Sequence, residues 1–278
     1  MEFSDKFIAF VDILGFSGFV ADAEGGTGKS LDELLELLAL FGSPAEREPL
    51  ATHGPTICSA SRYCRPDLDF RLTQISDCVI ISTEISPAGV IALIDYVWQT
   101  IMRFLVSGHL CRGCLTRGNI YHTDHQVIGT GYQRAYSHER CVAFRGAPEE
   151  RGTPFVEVDQ PVTAYIEGCG DQCVQRLFWR AAARDGDFVA LFPFKRLEHS
   201  FVIEGTGRPF DIEQQRRENW ELRKLLGGLI ERVRTYADHN NLGAIKKVRH
   251  YLAVLDAQRD LCDRTDEFLD RFNTPCGT

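Results

Sequence analysis

The sequence predicts an α+β fold, in which a mostly antiparallel sheet carries helices on one face and a helical extension follows at the C-terminal end. An apolar run near the start is typical of a buried strand, and predicted strands and helices then alternate imperfectly around one hairpin. The last third keeps apolar residues at helical spacing. We therefore predict a core over residues 1–165 and an added strand with packed helices over residues 166–278.

Seven segments have the composition of β-strands. Residues 6–13 (KFIAFVDI) form an almost continuous apolar run broken by Asp12, which predicts a buried central strand. Residues 70–75 and 78–83 flank a tight turn at Ser76 and Asp77, which predicts a hairpin. Further strands are predicted over residues 111–121, 126–128, 153–158 and 186–194.

Helical periodicity marks the connections between these strands. Ser30 and Glu33 form a capping-box pattern ahead of leucines at helical spacing, which predicts a helix over residues 30–41. Pro87 fits the first turn of another helix, and apolar residues on several sides of that helix predict that it is buried. Further helical patterns cover residues 131–144, 222–236 and 248–255.

The charge balance narrows the classes of partner. A formal net charge of -8 disfavours broad binding to nucleic acid or to anionic membranes. An anionic small substrate remains possible because metal ions can supply local positive charge. No apolar run reaches the roughly 18 residues that span a bilayer, and the N-terminus lacks an export signal. We therefore expect a cytoplasmic protein with reduced cysteines.

Two minor groups of potential metal ligands have simpler explanations. Cysteines at 111, 114, 169 and 173 could form a four-thiolate zinc site. Residues three apart on a strand point to opposite faces, however, so buried small side chains are the favoured interpretation. His122, Asp124 and His125 are favoured as a polar turn between two strands.

Two aspartates carry the main functional signal. Asp12 interrupts an apolar strand, where an unpaired carboxylate is costly, and Asp77 lies at the apex of the predicted hairpin. Either one alone is explained by a cap or a turn. Neighbouring strands can bring both to one sheet edge, where they would repel each other unless a cation lies between them. Two carboxylates with triphosphate oxygens suit Mg²⁺ or Mn²⁺, and Gly15 and Gly18 let backbone N–H groups approach a phosphate.

Three motifs in order resemble those of the class III nucleotidyl cyclases. Residues 10–17 (FVDILGFS) resemble the first metal motif, Ser76-Asp77 the second, and residues 129–136 (GTGYQRAY) a later glycine-to-helix element. The match spans roughly residues 6–160. Within that family, the short soluble architecture is most similar to that of the Pycsar-type pyrimidine cyclases of bacterial anti-phage defence. Three further features resemble these enzymes: the serine–aspartate motif, the helical tail, and a helix that carries Tyr132, Ala135, Tyr136 and Glu139.

The resemblance implies a ferredoxin-like palm fold and an enzyme that converts UTP to 3′,5′-cyclic UMP and pyrophosphate, with cyclic CMP as the alternative product. It implies two divalent cations, Mn²⁺ or Mg²⁺, held by Asp12, Asp77 and the backbone carbonyl of Ile13. Gly15 and the two residues after it, Phe16 and Ser17, would contact the substrate. A homodimer with sites at its interface and a separate effector protein activated by the cyclic nucleotide are also implied.

Four positions depart from the purine-specific members of that family. Gln133 and Ser137 stand where those enzymes carry a transition-state Asn and Arg. Thr73 stands where they carry a purine-reading Lys, and Gln126 where they carry its partner Asp. Loss of both purine-reading charges argues against ATP or GTP as the substrate.

Replacement groups for the lost side chains are therefore predicted. Thr73, with Tyr63 or Phe70 beside it, is expected to contact the base. Gln133 and Arg134 are expected near the reacting phosphate, and Arg117 and Arg112 remain open as alternatives to Arg134.

Two other functional classes remain open. Residues 23–30 nearly match a Walker A loop ending in Lys29 and Ser30, although a true P-loop connects a strand directly to a helix. The second class is a catalytically inactive, cyclase-like module that binds nucleotides or partners.

Overall fold

The structure is a computed structural model and describes residues 2–42, 67–193, 211–237 and 242–273. Within these ranges one mixed sheet forms the centre of the molecule. Its strands are β1 Ser4–Ile13, β2 Phe70–Ile75, β3 Cys78–Glu84, β4 Cys111–His122, β5 Val127–Ile128, β6 Val156–Val158, β7 Ala182–Asp185 and β8 Phe188–Leu191.

Helices connect the strands and complete the C-terminal part of the described chain. The Ser30 and Glu33 capping box is present at the start of the second helix, as the sequence predicts. The helices are α1 Phe16–Glu24, α2 Leu31–Ala39, α3 Pro87–Val106, α4 Thr130–Glu139, α5 Gln160–Gly168, α6 Gln172–Ala181, α7 Ile212–Ala237 and α8 Leu242–Asn273.

The strand order is β2-β3-β1-β4-β6-β8-β7, with β5 paired to β4 outside this path. All pairings are antiparallel except that of β4 with β6. The apolar strand β1 is therefore central, as predicted. Its register sets Asp12 opposite Cys78 on β3 and opposite Arg112 on β4.

The two faces of β1 belong to different apolar clusters because alternate residues of a strand point to opposite faces. Phe7, Ala9 and Val11 lie in the main core with α3, whereas Ile8 and Phe10 lie in a smaller cluster that includes the α4 side chain Ala135. The α+β fold and the helical extension are confirmed. Helix α4, however, lies on the other sheet face from α3. The Asp12 side chain is on the same face as α4.

Glycines allow α4 to approach the sheet closely. A Cβ atom built on Gly131 would lie 2.4 Å from the Ile8 Cδ1 atom, and one built on Gly118 would lie 3.0 Å from the Gly131 Cα atom. A side chain at Gly131 would force Ile8 or the helix to shift, and one at Gly118 would be closer to the helix backbone than an ordinary van der Waals contact. This contact explains why a helix of low apolar content packs on the sheet.

The C-terminal helices pack on the core rather than extending away from it. Leu226 and Leu229 of α7 and Tyr251 of α8 share an apolar cluster with Leu110 and Phe155. Strand β8 joins the central sheet beside β6. The boundary at residue 165 stays a prediction, since the chain on both sides of it contributes to one sheet.

Several segments differ from the predicted elements. The predicted turn after Asp12 is the start of α1, the helix predicted over 131–144 ends at Glu139, and the strand predicted over 153–158 is limited to Val156–Val158. Helices α5 and α6 and strand β7 were not predicted. All three are short, although α6 does carry buried apolar residues at helical spacing, at Val174, Phe178 and Ala181.

Among the described helices, only α3 is long and apolar enough to cross a membrane. No apolar run of that length is expected from the sequence. Most of it, 67% of the most apolar window, is buried inside the protein. Its residues Val90, Leu93 and Val97 are fully buried in the main core. The sequence prediction of a helix buried on several sides is confirmed.

Candidate functional site

Asp12 and Asp77 lie together at one edge of the sheet. Asp77 occupies the turn between β2 and β3, where Ser76 adopts a left-handed backbone with φ of 50°. This turn lets the Asp77 carbonyl oxygen accept a hydrogen bond of 3.1 Å from the Ile13 N–H. The Asp77 side chain lies close enough to Asp12 to raise the pKa of the Asp12 carboxyl group. The convergence predicted for the two acids is therefore present, although they are 65 positions apart in the chain.

The electrostatic surroundings of Asp12 disfavour its ionised form. Burial is the largest cause, followed by the negative charges of Asp77 and Glu139, and together they raise the pKa of Asp12 from 3.8 to about 7. The guanidinium of Arg112 opposes this shift without cancelling it. Asp12 therefore binds a proton more readily than an ordinary aspartate when no other cation is close.

Arg112 and Glu139 complete the cluster, and sequence analysis assigned neither a definite place in it. The Arg112 guanidinium donates through Nε and Nη2 to Glu139 Oε1, and its Nη2 atom lies 3.8 Å from Asp12 Oδ2. The side chains of Arg112 and Glu139 are 16% and 4% exposed. Three acidic groups thus surround one basic group, which leaves two formal negative charges.

This arrangement fits a divalent cation. The two aspartates offer hard oxygen donors, and after burial the negative charges of Asp77 and Glu139 are the next causes of the raised pKa of Asp12. Among the residues that the structure describes, no cluster of three or more His, Cys, Asp or Glu side chains has a metal-binding arrangement, and this includes the cysteines considered for zinc. A cation at Asp12 and Asp77 would therefore need further oxygen ligands from backbone or substrate.

The loop after Asp12 leads directly into α1. Gly15 precedes the helix with φ of 80°, a left-handed conformation that favours glycine, and no side chain caps this helix start. Ser17 is exposed there. The Phe16 side chain is buried in the main core, so only its backbone can face a substrate.

The α4 residues predicted near the reacting phosphate are exposed on the Asp12 face. Gln133 and Arg134 are both exposed, and Arg134 Nη1 donates to the Arg117 carbonyl oxygen at 3.4 Å. Arg117 itself is paired with Asp5 at 2.8 Å, near the opposite end of β1. Of the three arginines considered, Arg112 is the one with an ion-pair contact to Asp12.

Thr73 is tied to the β4–β5 hairpin. Its hydroxyl donates to the Thr123 carbonyl oxygen at 3.2 Å and lies 3.0 Å from His122 Nε2. The other nitrogen of His122, Nδ1, lies 2.8 Å from Ser82 Oγ. Burial is the main cause that lowers the pKa of His122 to about 4, and the positive charges of Lys6 and Arg71 lower it further. His122 is thus a neutral structural residue, whereas Tyr63 lies outside the described residues.

The near-Walker segment lacks the structure of a P-loop. Helix α1 separates β1 from this segment, which connects two helices rather than a strand and a helix. Ser30 is used as a capping residue, since its side chain accepts a hydrogen bond from the Glu33 N–H. The P-loop alternative is therefore not supported.

Sequence signals for Arg112 and Glu139 were present but weak. From the sequence, Arg112 is one of three candidate arginines, and Glu139 is one member of a helix motif. The register of β1 with β4 places Arg112 beside Asp12. Glu139 is only 3% exposed, so its carboxylate needs a buried partner. Both facts depend on tertiary pairing, which the sequence alone did not provide.

Comparisons with known proteins identify no family for this chain. No protein-family model matches it, and no curated protein matches it. One solved structure that matches is the catalytic core of a rhodopsin-guanylyl cyclase with converted specificity in complex with ATPalphaS. The two sequences are 13% identical, the match covers 60% of this chain and 83% of that chain, and the TM-score is 0.37. A bacterial light-regulated adenylyl cyclase matches with 14% identity, coverage of 82% and 58%, and a TM-score of 0.40. At these scores the likeness assigns no activity.

Proposed function

We propose that this chain is a metal-dependent nucleotidyl cyclase that converts UTP to 3′,5′-cyclic UMP and pyrophosphate. The observation that supports the proposal most is the convergence of Asp12 and Asp77 at one sheet edge, where the Asp77 carbonyl oxygen accepts from the Ile13 N–H at 3.1 Å and the negative charges of Asp77 and Glu139 help to raise the pKa of Asp12. Such a pair is expected where a protein holds divalent cations. The order of the three cyclase-like motifs supports a nucleoside triphosphate as the substrate.

In the proposed reaction the ribose 3′-oxygen forms a bond to the α-phosphorus, the bond from that phosphorus to the bridging oxygen breaks, and pyrophosphate leaves. Asp12, Asp77 and the Ile13 carbonyl would hold two cations, Mn²⁺ or Mg²⁺. When bound, these cations would promote loss of the 3′-hydroxyl proton and screen the charge of the leaving group. The β1 end and the β2–β3 turn fix the two carboxylates relative to each other.

The start of α1 is proposed to bind the phosphates. Gly15, the backbone of Phe16 and the exposed Ser17 follow the first aspartate directly. The N-terminal end of a helix carries partial positive charge and N–H groups without partners within the helix. The uncapped start of α1 can therefore donate to phosphate oxygens beside the cations.

Thr73 is proposed to contact the base, with Tyr63 as its neighbour. Because its hydroxyl hydrogen is directed to the Thr123 carbonyl, Thr73 can offer a substrate only a lone pair. Uracil presents a ring N–H to such an acceptor, and cytosine presents an amino group. Thr73 therefore accommodates either pyrimidine, and cyclic CMP remains the alternative product.

The molecular setting of this activity is also a proposal. Gln133 and Arg134 are exposed on α4, where they could reach the nucleotide of a second subunit in a homodimer. We propose a cytoplasmic homodimer whose product activates a separate effector protein in anti-phage defence. Nucleic acid and membranes are not expected partners, because the net charge is -8.

A product assay with each of the four NTPs and Mn²⁺ tests the proposal. The expected result is cyclic UMP with equimolar pyrophosphate, and a protein with Lys29→Ala should keep most of the activity because the P-loop alternative lacks its structural context. Cyclic CMP as the main product would favour the alternative pyrimidine. No product from any NTP, in a folded dimer, would instead support an inactive nucleotide-binding module.

A further inference from the structure

Arg112 is held in place from three sides. Glu139 of α4 accepts from its Nε and Nη2 atoms, and Asp12 of β1 lies 3.8 Å from Nη2. On the third side, a Cβ atom at Gly152 would lie 2.6 Å from Arg112 Nη1, so the guanidinium packs on the Gly152 backbone. Gly152 has φ of 71°, which favours glycine at this position.

This environment is unsuited to direct phosphate binding by Arg112. Its side chain is only 16% exposed, and its nearest partners are carboxylates. A guanidinium that binds a phosphate in the strong, bidentate way presents two N–H groups to it. Here Nε and Nη2 face Glu139 and Nη1 faces backbone, so the charge of Arg112 acts mainly on the neighbouring acids.

We infer that Arg112 is the internal counter-ion of Asp12 and weakens divalent-cation binding until a triphosphate is present. Glu139 is the positioning residue that holds Arg112 beside Asp12. This inference rests on the proposed cation site at Asp12 and Asp77. It adds a coupling between metal and substrate, because the guanidinium repels a metal ion in the nucleotide-free protein. The negative charge of a bound triphosphate offsets that repulsion.

The physical basis is the short distance between Arg112 and the proposed ligand. A cation bound by Asp12 would lie within several ångströms of the guanidinium, where charges interact appreciably even in a largely aqueous environment. Glu139 prevents Arg112 from moving away, since departure would leave a buried carboxylate unpaired. The arginine therefore cannot simply rotate into solvent when a metal ion arrives.

Mn²⁺ binding to the nucleotide-free protein, measured by the electron paramagnetic resonance signal of free Mn²⁺, tests the inference without any turnover. Arg112→Gln, which can still donate to Glu139, should bind Mn²⁺ about tenfold more tightly than the wild type, as expected for loss of one nearby positive charge. With a non-hydrolysable UTP analogue, the difference between the two proteins should shrink.

Arg184→Gln is the matched control for net charge. Arg184 lies on the edge strand β7 and pairs with Glu167 at 2.9 Å, so its replacement removes the same charge far from Asp12. Its Mn²⁺ affinity should equal that of the wild type. If Arg112→Gln fails to fold, the double variant with Glu139→Gln leaves neither partner unpaired. It should bind Mn²⁺ more tightly than Glu139→Gln alone, because it lacks the positive charge beside Asp12.

The same measurement separates failure of this inference from failure of the proposed function. If Asp77→Asn weakens Mn²⁺ binding but loss of Arg112 leaves the affinity unchanged or lower, the cation site stands and the counter-ion role is overturned. If Asp77→Asn leaves Mn²⁺ affinity unchanged, the proposed cation site itself is wrong. An Arg112→Gln affinity that rises equally with and without nucleotide would contradict the coupling to substrate.

Discussion

The carboxyl group of Asp12 is half-buried at the end of a central strand and faces two other acids. Its pKa is raised to about 7, chiefly by burial and then by Asp77 and Glu139. Because this pKa is higher in the folded protein than in the unfolded chain, the folded state holds the proton more tightly. The corresponding stabilisation is fully present below the unfolded value of 3.8 and is lost as the pH rises through 7.

A pH-dependent stability experiment follows for protein freed of metal with a chelator. Asp12→Asn mimics the protonated carboxyl group, so it should raise the melting temperature relative to wild type more at pH 8 than at pH 5. Thermal unfolding followed by circular dichroism at both pH values measures this difference. An identical effect of the substitution at both pH values would show that Asp12 titrates normally.

Helix α4 is the element that brings Glu139 to the site. Tyr136 packs edge-on against Phe10 with ring centroids 5.4 Å apart, and Ala135 is buried in the same small cluster. At the end of the helix, His138 Nε2 lies 2.5 Å from Glu157 Oε2 of β6, which ties the helix end to the sheet. The position of α4 therefore decides whether Glu139 reaches Arg112.

Gly131→Ala tests the close approach of α4. The added Cβ would lie 2.4 Å from Ile8 Cδ1 and 3.0 Å from the Gly118 carbonyl carbon, so either the helix or Ile8 must move. We expect a loss of about 1–3 kcal/mol in the free energy of unfolding, typical of overpacking. Chemical denaturation measures the loss.

Gly227→Ala in α7 is the matched control, since a Cβ there meets nothing within 4 Å. It should stabilise the protein by about 0.5–1 kcal/mol because alanine favours a helix interior. Equal stability of Gly131→Ala and wild type would contradict the proposed packing of α4 on β1.

The C-terminal helices support the loop behind Arg112. Glu150 pairs with Arg249 at 2.5 Å and with His250 at 3.1 Å, both on α8. Nearby, the Phe155 and Tyr251 rings stack with centroids 5.2 Å apart. The extension thus covers apolar residues of the core and secures the segment that contains Gly152.

Local patterns predicted much of this architecture. The apolar run of β1, the turn at Asp77 and the capping box at Ser30 each depend on residues near in sequence, and the structure contains all three. The face on which α4 packs was missed because it depends on a glycine contact between distant segments. The same limit applies to Glu139, whose partner Arg112 is 27 positions away.

Asp12 and Asp77 together are proposed to hold the cations that drive cyclisation. The most direct test is the rate of cyclic UMP formation from UTP and Mn²⁺ by Asp77→Asn, with folding verified by circular dichroism. We predict a loss of about a hundredfold or more, because a metal ligand is removed while the side-chain shape is kept. Product formation at the wild-type rate would contradict the two-metal account.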